Sequence, residues 1–227
     1  LDSTVVAREI KKILSDDQES TASLFNVPVY RIYNTMNTPG TELTLPKFHL
    51  AENDGREVVE ADGEALFKGK KVAASFSSEE SKYFLFAMDG VAGGVLLPYP
   101  NAEPGREITL EISESRTSRS YDDQNGKLTF KLKTVTKVYL DEQGEQVDVL
   151  DEGQMDKLEK QTEAFLENKI GLIIRKAQKE ARSDIFGFGA MVYRRDPKLW
   201  KRLEPEWEKI FPTLDVKVES EVKLLNT

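Results

Sequence analysis

In three stretches of the chain, apolar residues largely alternate with polar ones, and this pattern predicts β-strands. The first contains Ile108, Leu110 and Ile112. The second covers residues 128–140, directly after an Asn-Gly turn signal, and the third covers residues 214–224. Because such strands have one apolar and one polar face, the pattern is typical of an antiparallel sheet that is covered on one side.

A long amphipathic helix is predicted between the second and third of these stretches, over residues 155–183. Its apolar stripe comprises Met155, Leu158, Phe165, Leu166, Ile170, Ile173, Ala177 and Ala181. At about 1.5 Å per residue, the helix would be on the order of 40 Å long, enough to cross a whole sheet. Two shorter helices are expected at 190–203 and 205–211. The order of elements predicts an α+β fold: a largely antiparallel sheet packed against one long helix and shorter C-terminal helices.

The N-terminal part of the chain has weaker patterns. A first helix is predicted over residues 3–14, and a less certain helical stretch over 20–36 contains Pro28. Residues 43–60 give no clear periodicity and are expected to be extended and irregular.

Two local motifs give sharper predictions in the middle of the chain. Gly69 and Lys70 separate two apolar-rich runs, which is typical of a two-residue β-hairpin turn. Ser77 and Glu80 have the spacing of a capping box, so a short helix should begin there. A further strand is expected near residues 93–97.

Composition and charge exclude several classes of function. The chain has 32 basic and 40 acidic side chains, for a formal net charge of -8, which argues against a general nucleic-acid binder. It contains no cysteine, so disulfides, thiolate metal sites and cysteine nucleophiles are excluded. No apolar run reaches the roughly 18 residues of a spanning helix. The chain begins at Leu1, and we expect it to be part of a longer protein.

The ionisable residues do not form a recognisable catalytic or metal-binding pattern. His49 is the single histidine and has no cysteine or second histidine to act with, so a structural role is favoured. The acidic pairs, such as Glu79-Glu80 and Asp122-Asp123, are expected at helix starts and turns, where they stabilise helix N-termini and solvate loops. We therefore expect no catalytic residue, no metal site and no cofactor.

One basic cluster is a candidate for partner binding. Arg194, Arg195, Lys198 and Lys201 fall within the predicted helix at 190–203. Two interpretations remain open at this point: a solvated helix face, which is the commoner explanation, or a docking face for a partner.

Two blocks of sequence resemble a known family. The first consists of Asp-Ile-Phe-Gly-Phe-Gly at 184–189, Tyr-Arg-Arg-Asp-Pro-Lys-Leu-Trp-Lys at 193–201, and Ile-Phe-Pro at 210–212. The second consists of Ala-Leu-Phe-Lys-Gly-Lys-Lys-Val at 65–72 followed by Glu-Glu-Ser at 79–81. In this order and spacing they are similar to the C-terminal domain of the Ger(x)C spore germination proteins.

This resemblance implies both a domain division and a function. It suggests that residues 61–227 form the family's C-terminal α+β domain and that residues 1–60 are the end of an upstream or middle domain. It implies a non-enzymatic subunit of a nutrient germinant receptor, with integral-membrane subunits as partners. The family resemblance also implies attachment to the outer face of the spore inner membrane through an upstream lipid anchor that is not in this chain.

The sequence departs from the family pattern at two positions, and two other functions stay open. Ala190 and Tyr193 stand where the family commonly has glutamate and histidine, so any role of those residues is altered or absent here. The first alternative function is an extracytoplasmic module that binds a small ligand, which a deep pocket with convergent polar groups would favour. The second is a hydrolase that uses paired carboxylates.

Overall fold

The computed structural model describes residues 3–20, 24–25, 27–98, 108–124, 126–141 and 152–225. They form two β-sheets with helices packed around them. In chain order the elements are α1 (Ser3–Ser20), α2 (Val29–Met36), β1 (Thr44–Asn53), β2 (Arg56–Lys68), β3 (Lys71–Phe76), α3 (Ser78–Met88), β4 (Val95–Leu96), β5 (Thr109–Gln124), β6 (Lys127–Asp141), α4 (Glu152–Lys176) with a π-helical turn (Ala177–Ala181), α5 (Phe188–Arg195), α6 (Pro197–Leu203), a 3₁₀ turn (Glu204–Glu206), α7 (Trp207–Ile210), a second 3₁₀ turn (Phe211–Thr213) and β7 (Asp215–Leu225).

The N-terminal helices differ in extent from the prediction. Helix α1 continues to Ser20 rather than ending at residue 14. The weaker helical stretch is helical only from Val29 to Met36, because Pro28 lies at its N-cap with extended backbone angles (φ -61°, ψ 148°). A proline fits the start of a helix well but interrupts its interior.

The first sheet is antiparallel, with strand order β1-β2-β3. The prediction that residues 43–60 are irregular is wrong, since they form β1 and the first part of β2. The two strands are joined by a tight turn in which Asp54 and Gly55 have φ of 50° and 73°. Asp-Gly is a strong hairpin signal because both residues tolerate positive φ.

Both local motifs in the middle of the chain are confirmed. Lys68 pairs with Lys71 across the Gly69-Lys70 turn, which joins β2 to β3. The Ser77 hydroxyl accepts a hydrogen bond from the Glu80 backbone N–H at 3.2 Å, and the Ser77 N–H donates to Glu80 Oε2 at 2.8 Å. This capping box begins α3.

The second sheet has the strand order β4-β5-β6-β7. Strands β4, β5 and β6 pair antiparallel, as predicted, although the strand expected near 93–97 is only the two-residue β4. Strand β7 instead runs parallel to β6. Parallel neighbours need a long crossover connection, and α4 lies within that connection.

The core lies between the second sheet, helix α4 and the aromatic residues of α3 and of the 186–211 region. The α4 residues Leu158, Leu166 and Ile170 are buried against it. Aromatic rings continue the core: Phe186 and Phe188 stack at 5.4 Å between ring centroids, and Phe188 stacks on Phe130 at 4.5 Å. The predicted long helix and its buried stripe are therefore confirmed.

A ladder of three glutamates closes the free edge of β7. Three α4 side chains, each four residues apart, accept hydrogen bonds from backbone N–H groups of β7. The pairs are Glu167 Oε1 with Ser220 N at 2.9 Å, Glu163 Oε1 with Val222 N at 3.1 Å, and Glu159 Oε1 with Leu224 N at 2.7 Å. Four helical residues rise about 6.0 Å and two strand residues about 6.6 Å, so the two repeats nearly match. The ladder occupies donors that an edge strand would otherwise offer to another chain.

Replacing Glu159, Glu163 and Glu167 together with alanine should lower the free energy of unfolding by about 2 kcal/mol, because three edge N–H groups lose their acceptors. The triple glutamine variant keeps a carbonyl oxygen at each position and should retain most of the stability. Urea unfolding measures the first effect, and sedimentation velocity should detect self-association of the alanine variant. An alanine variant that is as stable and as monomeric as the glutamine variant would contradict this role.

The C-terminal helical region is divided more finely than predicted. The helix expected at 190–203 is two helices, α5 and α6, which are separated at Asp196. Asp196 has a non-helical backbone (φ -140°, ψ 83°), as expected for a residue that precedes a proline. The second predicted helix, at 205–211, is the single turn α7 between two 3₁₀ turns.

Candidate interaction surface

The buried carboxylate of Asp184 holds α5 in place. Its Oδ1 accepts a hydrogen bond from the Phe188 N–H at 3.0 Å, and its Oδ2 accepts from the Gly189 N–H at 2.8 Å. The indole N–H of Trp207 also donates to Oδ2, at 3.1 Å. One side chain thus ties the first turn of α5 to α7.

Burial raises the pKa of Asp184 to about 6, and the donors at Gly189, Phe188 and Trp207 oppose that rise. Removal from water disfavours the charged carboxylate, whereas hydrogen bonds to it favour the ionised form. The residue is therefore an anchor whose protonation changes near neutral pH.

A close backbone contact joins α5 to the segment that leads into β1. The Ala190 N–H donates to the Gly40 carbonyl at 2.7 Å, and the Glu42 N–H donates to the Asp184 carbonyl at 2.9 Å. A Cβ atom at Gly189 would lie 2.7 Å from the Gly40 Cα and 2.8 Å from Trp200. Glycine is thus needed at both positions 40 and 189, where α5 and the segment before β1 cross beside Trp200.

The start of α6 is fixed by a side-chain cap. Asp196 Oδ1 accepts a hydrogen bond from the Leu199 N–H at 2.9 Å, and Pro197 occupies the first turn. Trp200, one turn further on, is buried and packs edge-on against Trp207 with ring centroids 5.3 Å apart. The family motif residues thus form the scaffold beneath the helices.

The four cations of the basic cluster are exposed but do not share one helix. Arg194 and Arg195 lie in the last turn of α5, whereas Lys198 and Lys201 lie on α6. The break at Asp196 therefore divides the strip that the sequence assigned to a single helix face. We call these four residues the basic strip.

Arg119 of β5 joins the α5 half of the basic strip. Its Nη1 donates to the Phe186 carbonyl at 2.9 Å, and its own carbonyl accepts from Arg195 Nη2 at 3.4 Å. Burial lowers the pKa of Arg119, and the nearby charge of Arg194 lowers it further. Sequence reasoning did not find this residue, because it is 75 positions away from Arg194 and nothing local marks it.

The cations of the basic strip differ from several cations on the sheet, which form ion pairs. On the sheet, Lys131 pairs with Glu219 at 2.6 Å and Lys133 with Glu221 at 3.2 Å. Even the neighbouring Arg202 lies 4.0 Å from a carboxylate oxygen, that of Asp123. Within the described part of the chain, no ion pair joins a residue of the basic strip to a carboxylate.

The single histidine, considered as a general base, lies on the first sheet. His49 is exposed on β1, with its Nε2 3.7 Å from a carboxylate oxygen of Glu60 on β2. Over the residues that the structure describes, no three His, Cys, Asp or Glu side chains are grouped so that they could hold a metal ion. None of the helices in that part of the chain is both long and apolar enough to cross a bilayer.

A groove between α3 and α4 lies beside a buried core residue, Tyr83. It encloses about 500 Å³. Two ion pairs line it: Lys169 with Glu79 at 2.7 Å and Lys176 with Glu80 at 2.7 Å. Because these polar groups already bind one another, the groove offers few free groups to orient a small ligand.

An exposed apolar row on α2 is a second feature that sequence reasoning missed. Val29, Tyr30, Tyr33 and Met36 are 58–81 % exposed, and no residue of the helix is buried. The spacing of these residues could have indicated one apolar face, but sequence alone does not distinguish a buried face from an open one.

Comparisons with known proteins agree with the motifs described above. A family model described as spore germination B3/GerAC like, C-terminal, matches residues 62–227. The chain is 24 % identical over 179 residues to spore germination protein KC of Bacillus subtilis (strain 168), covering 77 % of this chain and 43 % of that protein. It is 24 % identical over 161 residues to spore germination protein YndF of the same organism, covering 70 % and 39 %. The chain therefore spans less than half the length of these curated relatives.

A solved structure shares the fold. The crystal structure of the GerBC protein superposes with a TM-score of 0.73 at 23 % identity, over 88 % of this chain and 61 % of that one. At this identity the likeness establishes the α+β architecture alone.

Proposed function

Because the chain belongs to the spore germination B3/GerAC-like C-terminal family, we propose that it acts as a non-enzymatic subunit of a nutrient germinant receptor. Its work in germination is to bind other proteins, namely the integral-membrane subunits of the receptor. The complex operates at the spore inner membrane, where an upstream lipid anchor holds this subunit on the outer face.

The domain division is part of the same proposal. Residues 61–227 form the family domain, and residues 1–60 belong to a preceding domain. The start of the family match at residue 62 supports this division. The boundary lies inside β2, so the two parts share a strand and a rigid connection between them is expected.

The observation that carries the binding role is a cluster of four exposed cations, none joined to a carboxylate by an ion pair in the described residues, on a chain with a net charge of -8. The capped and buried scaffold of α5 and α6 fixes where these cations lie. A local basic surface on an acidic protein can orient an incoming partner even when each charge adds little affinity.

Reversing the charges of Arg195, Lys198 and Lys201 together should slow nutrient-triggered germination or lower the amount of assembled receptor. The free energy of unfolding should change by less than about 1 kcal/mol, because exposed charges contribute little to folding. Germination is measured as the loss of optical density of spores after nutrient addition, and receptor level by immunoblot.

The matched control reverses Lys70 in the β2–β3 turn, Lys71 at the start of β3 and Lys217 on β7, which are also exposed. It makes the same change in net charge elsewhere and should leave germination normal. Normal germination and normal receptor levels in spores that carry the first set of reversals would rule out the basic strip as the working surface.

A further inference from the structure

Three arginines from two different elements converge at one end of the basic strip. Arg194 and Arg195 come from the C-terminal turn of α5, and Arg119 comes from β5. The hydrogen bond from Arg195 Nη2 to the Arg119 carbonyl connects the two elements at this point.

Asp89 and Asp184 act electrostatically on Arg119, and Asp196 directly follows Arg195 in the chain. Each of these carboxylates already accepts a backbone hydrogen bond, and for Asp196 Oδ1 the donor is the Leu199 N–H at 2.9 Å. Asp89 Oδ1 accepts the Thr117 N–H at 2.7 Å, and both oxygens of Asp184 accept donors from α5 and Trp207. None of the three forms an ion pair with an arginine in the described residues. Three like charges thus lie together without direct neutralisation, an arrangement that an incoming anion would relieve.

We propose that Arg119, Arg194 and Arg195 form a recognition site for an acidic segment of a partner protein, with carboxylates of that segment as the ligands. The proposal rests on the proposed function and names the chemistry of the partner. Guanidinium groups suit this role because their planar donor pairs match the two oxygens of a carboxylate. Arg119 is already fixed by its bond to Phe186, so one of the three groups needs little ordering.

The charge distribution favours a protein segment over an anionic bilayer. A flat membrane surface would also approach Asp123, which is exposed and lies 4.0 Å from Arg202. The net charge of -8 repels any anion, but the repulsion is greater for an extended anionic surface, which covers more of the acidic protein than a short segment does.

The test titrates the chain into a fluorescently labelled hexaglutamate peptide and measures anisotropy at low and at physiological salt. The double variant Arg194→Glu, Arg195→Glu should bind at least about tenfold more weakly than the unaltered chain. The double variant Lys70→Glu, Lys71→Glu alters another exposed pair of adjacent cations, far from the arginines in the chain, and should bind within about twofold of it. A neutral variant, Arg194→Gln with Arg195→Gln, should be intermediate, and circular dichroism verifies that each variant is folded.

Three outcomes would overturn the proposal. Equal losses in the two charge-reversal variants would show that only net charge matters. Undetectable binding of the peptide by the unaltered chain would show that no such site exists. Arginine-dependent binding to vesicles that contain phosphatidylglycerol, stronger than to the peptide, would show that the site contacts lipid.

The proposed function can fail separately. If hexaglutamate binding depends on the arginine pair while spores with the Arg195, Lys198 and Lys201 reversals germinate normally, the acidic-segment site stands and the germination role of this surface falls. If those spores germinate slowly but hexaglutamate binding does not depend on the arginine pair, the surface is needed for germination and its partner is not acidic.

Discussion

Replacing Asp184 with alanine should lower the free energy of unfolding by about 4 kcal/mol or more, the largest loss expected from a single polar side chain in this protein. The change leaves three donors without their acceptor: the N–H groups of Phe188 and Gly189 and the indole N–H of Trp207. All three residues are buried, so water cannot readily replace the carboxylate. Urea unfolding followed by tryptophan fluorescence would measure the loss.

Asp196 provides a matched control for this prediction. It also caps a helix, but it is exposed and receives one backbone N–H through its side chain, that of Leu199. Asp196→Ala should cost about 1 kcal/mol, which is typical of a solvent-exposed N-cap. Similar losses in the two variants would mean that Asp184 acts as an ordinary cap and does not tie α5 to Trp207.

The same residue should make stability depend on pH. Because the pKa of Asp184 is raised to about 6 in the folded protein, protonation of its carboxyl group favours the folded state. This stabilisation is fully present below the ordinary carboxyl pKa near 3.8 and is lost as pH rises through 6. The loss amounts to about 2 kcal/mol between pH 4 and pH 7. Asp184→Asn cannot ionise, so the difference between the two unfolding free energies should change with pH over this interval. A constant difference would contradict the raised pKa.

Replacing Gly40 with alanine should lower the free energy of unfolding by about 3 kcal/mol or more, through strain and overpacking together. Gly40 has a φ of 71°, which side-chain-bearing residues rarely adopt. A Cβ atom there would lie 2.5 Å from the Gly189 carbonyl carbon and 2.6 Å from the Trp200 ring. The segment before β1 would have to move away from α5, and the Ala190 to Gly40 hydrogen bond would be lost.

Gly55 separates the two causes. Its φ is 73°, almost the same as at Gly40, but a Cβ atom there would meet nothing within 4 Å. Gly55→Ala therefore measures backbone strain alone and should cost about 1 kcal/mol. The excess loss in Gly40→Ala reports the contact with Gly189 and Trp200. Equal losses in thermal or urea unfolding would show that this contact can relax without cost.

Both predictions concern the part of the fold that presents the basic strip. Asp184 and Gly40 both contact the start of α5, and α5 carries Arg194 and Arg195. Loosening at either position should therefore disturb partner binding as well as stability, because Phe188 of α5 also packs on Phe130 of the sheet.

The amino-acid sequence by itself determined the elements whose signals are local. The capping box at Ser77, the turn at Gly69 and the Asp196 cap act within four residues, and the structure has all three. The alternation of apolar and polar residues in β5, β6 and β7 is likewise a repeat within a single element, and so is the apolar stripe of α4. The division between α5 and α6 was also visible in principle, because Pro197 restricts the residue before it.

The tertiary structure decided which distant groups meet. The parallel pairing of β7, the glutamate ladder on its edge and the contact of Gly40 with Gly189 each join residues that are far apart in the chain. The buried state of Asp184 and the approach of Arg119 to the basic strip have the same origin. A carboxylate or a guanidinium group has the same chemical properties at any position in the sequence. Which donor, cation or water molecule lies beside it is determined by the packing of the fold. A local pattern specifies an element, whereas its partners depend on how all the elements bury their apolar faces together.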